Sequence, residues 1–259
     1  MNLNLTTFKN NLRLLRVITE GQLKSRYRST VAGFLWVILS PVITYTVQAL
    51  IFKNILNIQI GKYHLFLLSG VLPWTFIVSS LTVTVNSFVA NRTTLMAFSI
   101  NPIILLVSQI VDCFINYVCA FLVLLLLLNF NILGSPEQLF FFLIANILLV
   151  IFIFLISFCF AITQVFLRDT QYIIQFSIGL LYFITPIFYP PSLLPEKFQF
   201  LLNFNIFYIF IQPFQNSVWK YSPNLLWPNL AICISILIFL AFLSAHLWKK
   251  LKYEFYLKL

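Results

Sequence analysis

Lys24, Arg26 and Arg28 stand together, with Tyr27 among them, just ahead of the first long apolar run of the chain. Guanidinium forks hold phosphate oxygens through bidentate, charge-assisted hydrogen bonds, so this trio has the chemistry to bind a phosphorylated headgroup at a membrane surface. Basic flanks also set topology and attract anionic lipid by charge alone, and both readings stay open. Within the apolar runs the polar residues fall in stripes. Trp36, Ser40, Thr44 and Gln48 are spaced four apart and share one helix face. Ser79, Thr82 and Asn86 share a face of the next run, Ser80, Thr84 and Ser87 an adjacent one, and Gln175, Gly179, Tyr182 and Pro186 align further on. Such stripes serve either as helix–helix contacts or as the wall of a hydrated path, and three together favour the path. Asp112 is the one acidic residue deep in an apolar run. It is a functional candidate because burying a carboxylate there is costly, although Gln109 and Asn116, one turn either way, offer it local partners.

What is missing bounds the chemistry. His64 and His246 are far apart, so no Ser/His/acid arrangement can be drawn, and Gly61-Lys62 lacks the earlier glycine of a phosphate loop. Cys113, Cys119, Cys159 and Cys233 fall in apolar runs without metal-ligand spacing, which reads as buried thiols rather than a disulfide framework or a zinc site. No catalytic residue, metal site or nucleotide motif is expected in this chain.

The elements that must position these residues are membrane helices. Of 259 residues 61% are hydrophobic and 8% charged, where an ordinary soluble domain carries about 25% charged residues. Apolar runs longer than about 18 residues recur along the chain, the length of a membrane span. The net charge of +10 sits mainly toward the two ends, which points to topology and not to nucleic acid. The first long apolar run begins near Val31, after Lys9, Arg13, Arg16, Lys24, Arg26 and Arg28, and reads as an uncleaved span. In residues 1–30, Leu5, Phe8, Leu12 and Leu15 recur at helical spacing beside Lys9, Arg13, Arg16 and Glu20, a pattern for a helix lying in the cytoplasmic interface.

Six spans are expected near 31–52, 64–90, 103–129, 138–167, 172–189 and 226–248. Ser135, Pro136 and Glu137 give the fourth a clear start, and Asp169 is expected to cap the fifth. Residues 190–225 carry five prolines and many amides; Pro213 and Gln212 argue against a seventh span. Charge decides the count. With six spans, twelve of the sixteen Lys and Arg lie on the side of both termini, and only Lys53, Lys62, Lys197 and Lys220 lie opposite. The expected fold is therefore an all-α integral membrane protein. It has an amphipathic interfacial segment at 1–30 and a six-helix transmembrane domain at 31–259, with a re-entrant helix pair at about 190–225 before the last span. The short loop Asn91 to Pro102, with Arg92 and Phe98, is expected to form a helical turn or two suited to docking in a partner's groove.

The segment Leu23-Lys-Ser-Arg-Tyr-Arg-Ser-Thr-Val-Ala-Gly-Phe-Leu-Trp36 followed by Pro41 resembles the start of the membrane subunits of polysaccharide-exporting ABC transporters. Leu68-Ser-Gly-Val-Leu-Pro-Trp74, Arg168-Asp169, Thr185-Pro-Ile-Phe-Tyr-Pro190 and Leu194-Pro-Glu-Lys197 match in the same order. Asn205 is followed by Ile206 where the family has proline, and an arginine usual further on is absent, with Gln215 nearby.

The resemblance implies a homodimeric permease of the bacterial inner membrane, both termini cytoplasmic, that exports a lipid-linked O-antigen, capsular polysaccharide or teichoic acid. It implies two separate ABC ATPase subunits as partners, which would hold ATP and magnesium while this chain holds no cofactor. It also implies a coupling helix between spans two and three, with Asn91, Arg92, Phe98 and Pro102 as its candidates. Lys24, Arg26 and Arg28 become candidates for the carrier's phosphate, and Trp36, Ser40, Thr44, Gln48, Trp74, Gln175 and Tyr182 for the pathway wall. Aromatic faces there would meet the C–H surfaces of sugars. The main alternative is an ion-gradient-driven secondary transporter or channel, which calls for internal repeats and several intramembrane ionisable groups. A membrane-embedded transferase would need an acid/base cluster.

Overall fold

The computed structural model describes residues 2–27, 35–55, 61–98, 100–127 and 134–259, and these are helical with no strand among them. The chain opens with α1 (Asn2–Tyr27) and α2 (Leu35–Ala49), the latter running on into a wider π-helical turn, Leu50–Ile55. Next come α3 (Tyr63–Thr84), the short α4 (Ser87–Ala90) and α5 (Arg92–Phe98), then α6 (Pro102–Leu127) and α7 (Pro136–Phe166). After α8 (Thr170–Ile184) a short 3-10 turn leads to α9 (Glu196–Phe204) and α10 (Ile206–Phe214). A π-helical turn, Gln215–Trp219, precedes α11 (Pro223–Lys258).

Four of these, α3, α6, α7 and α11, are long and apolar enough to cross a membrane; α2 and α8 are shorter apolar helices. Helix α3 is buried over most of its surface, including Phe66, Leu67, Leu68, Phe76 and Ile77, and forms the centre of the bundle. Around it pack α2, α6, α7, α8 and α10, while α11 lies along α7 and α1 along α6. The helix of 36 residues, α11, runs ten residues past the end expected at 248 and spans about 54 Å at 1.5 Å per residue. The fifth apolar run ends as helix at Ile184, because Pro186 cannot continue it; Thr185 to Phe188 form a bent, buried segment instead, with Ile187 N donating to Thr185 O at 2.8 Å.

Local chemistry explains the boundaries. Ser135 caps α7 as expected, its hydroxyl accepting from Gln138 N while the Gln138 side chain accepts from Ser135 N, and Pro136 fills the first helical position. Asp169 stands at the start of α8 but makes no capping bond; Gln164 Oε1 accepts from Gln171 N at 2.8 Å in its place. Helix α1 packs on α6 along one side. Leu15, Ile18, Thr19 and Gln22 turn inward, and Gln22 Nε2 donates to Ser108 Oγ of α6 at 3.3 Å. Leu12, Leu14 and Val17 are exposed. Arg16 and Glu20 form the one ion pair among the described residues, at 2.7 Å, and that bond holds the Glu20 carboxyl below its usual range.

The bundle has two chemically distinct ends. At one, Phe88 of α4 meets Phe255 of α11 edge-on at 5.4 Å, Trp248 meets Phe158 of α7 at 5.7 Å, and the end of α1 meets the start of α6. This end gathers Lys24, Arg92, Arg168, Lys249, Lys250, Lys252 and Lys258. At the other, Trp219 Nε1 donates to Gly61 O at 2.8 Å and Tyr221 donates to Glu137 Oε2 at 2.8 Å. The second bond pushes the Tyr221 phenol above its ordinary value. Helices α9 and α10 lie at this amide-rich end, opposite α5.

Candidate functional site

Three helices that carry the polar stripes converge on one cavity of about 460 Å³, open at its side. Thr44 and Gln48 of α2, Trp74 and Ser79 of α3, and Gly179 and Tyr182 of α8 line it. Of the expected pathway residues, Thr44, Gln48, Trp74 and Tyr182 therefore meet. Trp36, Ser40 and Gln175 do not: all three are exposed, further along α2 and α8 from the cavity.

The hydroxyls in this groove are committed to backbone. Thr44 Oγ1 donates to Ser40 O at 2.8 Å, Thr75 Oγ1 to Leu72 O at 2.9 Å and Ser79 Oγ to Phe76 O at 3.1 Å. Each keeps acceptor capacity toward the cavity but no spare proton. Gln48 is different. Its amide donates to the Tyr182 hydroxyl, bridging α2 and α8, while its Oε1 is buried without a partner. Trp74, only 3% exposed, sits 6.1 Å from the Tyr182 ring and 6.1 Å from Phe207 of α10. Tyr182 in turn packs on Phe188 at 4.6 Å, and Phe188 stacks on Phe52 at 4.8 Å. The wall is thus mainly aromatic and aliphatic, with one amide–phenol bridge, a surface made for ring faces more than for a continuous water column.

The two stripes of α3 take opposite roles. Ser79 and Thr82 are exposed, and Asn86, just past the helix end, is half-buried. Ser80, Thr84 and Ser87 are buried, and Thr84 Oγ1 donates to Ser157 Oγ of α7 at 2.9 Å, which ties two helices together. Asp112 is 1% exposed on α6 beside buried Gln109 and Cys113. The four cysteines are free, Cys113, Cys159 and Cys233 buried and Cys119 half-buried. No group of metal-ligating side chains occurs among the described residues.

At the basic end α5 is helical, in keeping with the expectation for the Asn91–Pro102 loop. Arg92 and Met96 are exposed, Leu95 is 1% exposed and anchors the helix, and Asn91 Nδ2 donates back to Ser87 O at 2.8 Å. Pro102 is buried at the first turn of α6, where Asn101 Oδ1 accepts from Ile103 N, so it shapes the loop and presents no surface. Lys24 is exposed on the outer face of α1. Arg28 and the side chains of Arg26 and Phe98 lie outside the described residues.

Several residues that shape this site carried weak signals in sequence. Asn205 Oδ1 caps α10 through Tyr208 N at 3.1 Å while its amide donates to Thr185 Oγ1 at 2.8 Å. An asparagine just ahead of an apolar run is a start signal that could have located it. Gln215 Nε2 donates to Pro186 O at 2.9 Å, a partner 29 residues away that no local pattern marks. Gly70 lets the Thr185–Phe188 strap approach: a Cβ there would lie 3.0 Å from Ile187 O.

A bundle of long apolar helices with an aromatic groove opening between two shorter ones defines a multi-pass membrane protein. Comparison with known sequences places it further. Residues 13–219 match the family described as ABC-2 type transporter, and the chain belongs to that family. It is 32% identical over 255 residues, 93% of each chain, to an O-antigen export system permease protein, RfbA, of Klebsiella pneumoniae. A second Klebsiella pneumoniae protein of that name is 28% identical over 93% of each chain, and one from Myxococcus xanthus 27% identical over 71% of each.

Proposed function

We propose that this chain is the membrane subunit of an ATP-driven exporter that moves a lipid-linked polysaccharide across the bacterial inner membrane. One observation carries this reading: near full-length similarity to permeases named for O-antigen export. The groove chemistry supports it. Trp74 and Tyr182 build an aromatic wall suited to sugar C–H surfaces, and Gln48 ties it to α2.

In this reading α2, α3, α6, α7, α8 and α11 are six spans. Helix α2 with its π turn reaches about 30 Å, and the buried strap Thr185–Phe188 completes the depth of the 15-residue α8. Helices α9 and α10 are the re-entrant pair. The basic end is cytoplasmic, with both termini there. The exposed apolar faces of α2 and α8, including Ile43, Val47, Phe176 and Phe183, flank the groove and fit a second copy, so that two grooves line a shared path. Two ABC ATPase subunits dock on α5 through Arg92 and Phe98, with Asn91 and Pro102 setting the helix in place. Lys24, Arg26 and Arg28 meet the carrier's phosphate.

The test is purification of the chain alone and together with the ATP-binding-cassette protein of the same cell. The chain alone should hydrolyse no ATP, and the two should co-elute as an ATPase-active complex. ATP hydrolysis by the pure chain, or no association with any such ATPase, contradicts the proposal.

A further inference from the structure

A second cavity, of about 670 Å³, lies between α9, α10 and α11 at the end of the bundle opposite α5. Gln199 and Asn203 stand one turn apart on α9, Tyr208 and Gln212 one turn apart on α10, and Asn229 joins them from α11. The contrast with the neighbouring amides is informative. Asn205 and Gln215 spend theirs inside the fold, on Thr185 and Pro186. Asn229 Nδ2, in contrast, is buried with no hydrogen-bond partner at the wall of the cavity. A buried donor left unpaired costs about 1–3 kcal/mol, and a hydroxyl ligand toward which the Asn229 amide turns would recover that cost.

The lining limits what that ligand is. Gln199, Asn203, Gln212 and Asn229 bring four carboxamides to it, the Gln199 amide also donating to Leu194 O at 3.2 Å, and carboxamides pair well with vicinal hydroxyls. Phe200, 55% exposed at the rim, and Tyr208 offer ring faces. No charged side chain lines the cavity among the described residues, so an anion has no counter-charge. A purely apolar acyl chain would leave the amides unpaired.

We propose that the cavity between α9, α10 and α11 is a binding subsite for neutral, hydroxyl-rich sugar residues, separate from the groove between α2 and α8. It rests on the polysaccharide-export reading and adds to it a place where the polymer is held at the far end of the bundle.

Saturation-transfer NMR on the full chain in lipid nanodiscs tests it. The probe is the mixture of neutral oligosaccharides released by mild acid from the host cell's own surface polymer. The wild-type chain should transfer saturation to sugar protons. Gln212→Leu with Asn229→Leu should weaken the Kd by about tenfold or more, from two lost hydrogen bonds. Because those positions are partly buried, Gln199→Ala with Asn203→Ala, both exposed, serves as a second pair that leaves packing intact and should also weaken binding severalfold. No transfer in the wild type, or wild-type affinity in both pairs, overturns the subsite. A photo-crosslinking residue at Asn203 that captures phospholipid and never sugar also overturns it, and assigns the cavity to lipid. The export reading is judged separately: if deleting the chain still strips polymer from the cell surface, export stands and only the subsite falls.

Discussion

Two places in this molecule bring polar side chains into an apolar bundle, and they do so to opposite ends. Where the Thr185–Phe188 strap crosses α3 and α10, polar groups are spent on one another: Asn205 on Thr185 and Tyr208 N, Gln215 on Pro186 O, and Tyr63 on Phe188 O at 2.9 Å. In the groove between α2, α3 and α8, rings dominate, hydroxyls fold back on their own helices, and Gln48 keeps an unpaired oxygen. The first arrangement is closed and holds shape. The second is left open. Polar residues in membrane helices are costly when unpaired, so a paired one marks a joint, while an unpaired one on a residue that lines a cavity is a candidate for binding.

Substitutions that break this contrast should rank accordingly. At the strap the effect on stability is largest. Gly70→Ala drives a Cβ to 3.0 Å from Ile187 O, 3.2 Å from Ile187 Cγ2 and 3.3 Å from Gln215 Nε2. The backbone atom cannot yield, and about 1–3 kcal/mol should be lost. Gln215→Leu leaves Pro186 O without its donor and should cost a similar amount. Thermal unfolding in detergent should register both as clear downward shifts, and an unchanged midpoint for either would remove the strap from the joints of the fold.

Gln48→Leu should cost less than about 1 kcal/mol, because it removes one donor bond and at the same time an oxygen already unpaired. Its export rate should nevertheless fall severalfold, since the bridge to Tyr182 shapes the groove. If stability falls and export does not, the groove is a joint like the strap.

Much of this was legible in sequence, for physical reasons that differ by element. Long apolar runs made α3, α6, α7 and α11 plain, and Ser135-Pro136-Glu137 located the start of α7 because capping is local chemistry. Thr44, Gln48, Trp74 and Tyr182 converge because a spacing of four keeps a helix face aligned. Trp36, Ser40 and Gln175 share those faces but lie beyond this cavity, since a face extends along a helix further than a cavity does. Helix α1 packs on α6 through Thr19 and Gln22, polar residues that an apolar stripe passes over, while Leu12 of the expected interfacial stripe is exposed. The tie from Gln215 to Pro186 and the cavity at Asn229 join elements distant in sequence, and no periodicity reports them.

The basic end offers smaller effects on the fold and sharper ones on function. Arg92→Glu, at an exposed position, should alter stability by no more than about 0.5 kcal/mol, as for other surface substitutions, and it is paired with Phe98→Asp for the functional assay. The pair should uncouple ATP hydrolysis from export in the assembled complex; export at the wild-type rate would argue against docking at α5. Smallest on the fold should be Arg26→Lys with Arg28→Lys, which keeps charge and loses the guanidinium fork. Insertion and assembly should stay normal while substrate-stimulated ATPase activity and export fall. Wild-type export by this variant would make the arginines anchors only.

The central claim, that this chain carries a finished polysaccharide across the membrane, has a direct measurement. In a cell from which the chain is deleted, surface polymer is quantified on intact cells and carrier-linked polymer in the lysate. The account predicts loss from the surface with accumulation inside, both restored by the wild-type chain. Surface polymer at the undeleted level, with none accumulating within, would contradict it.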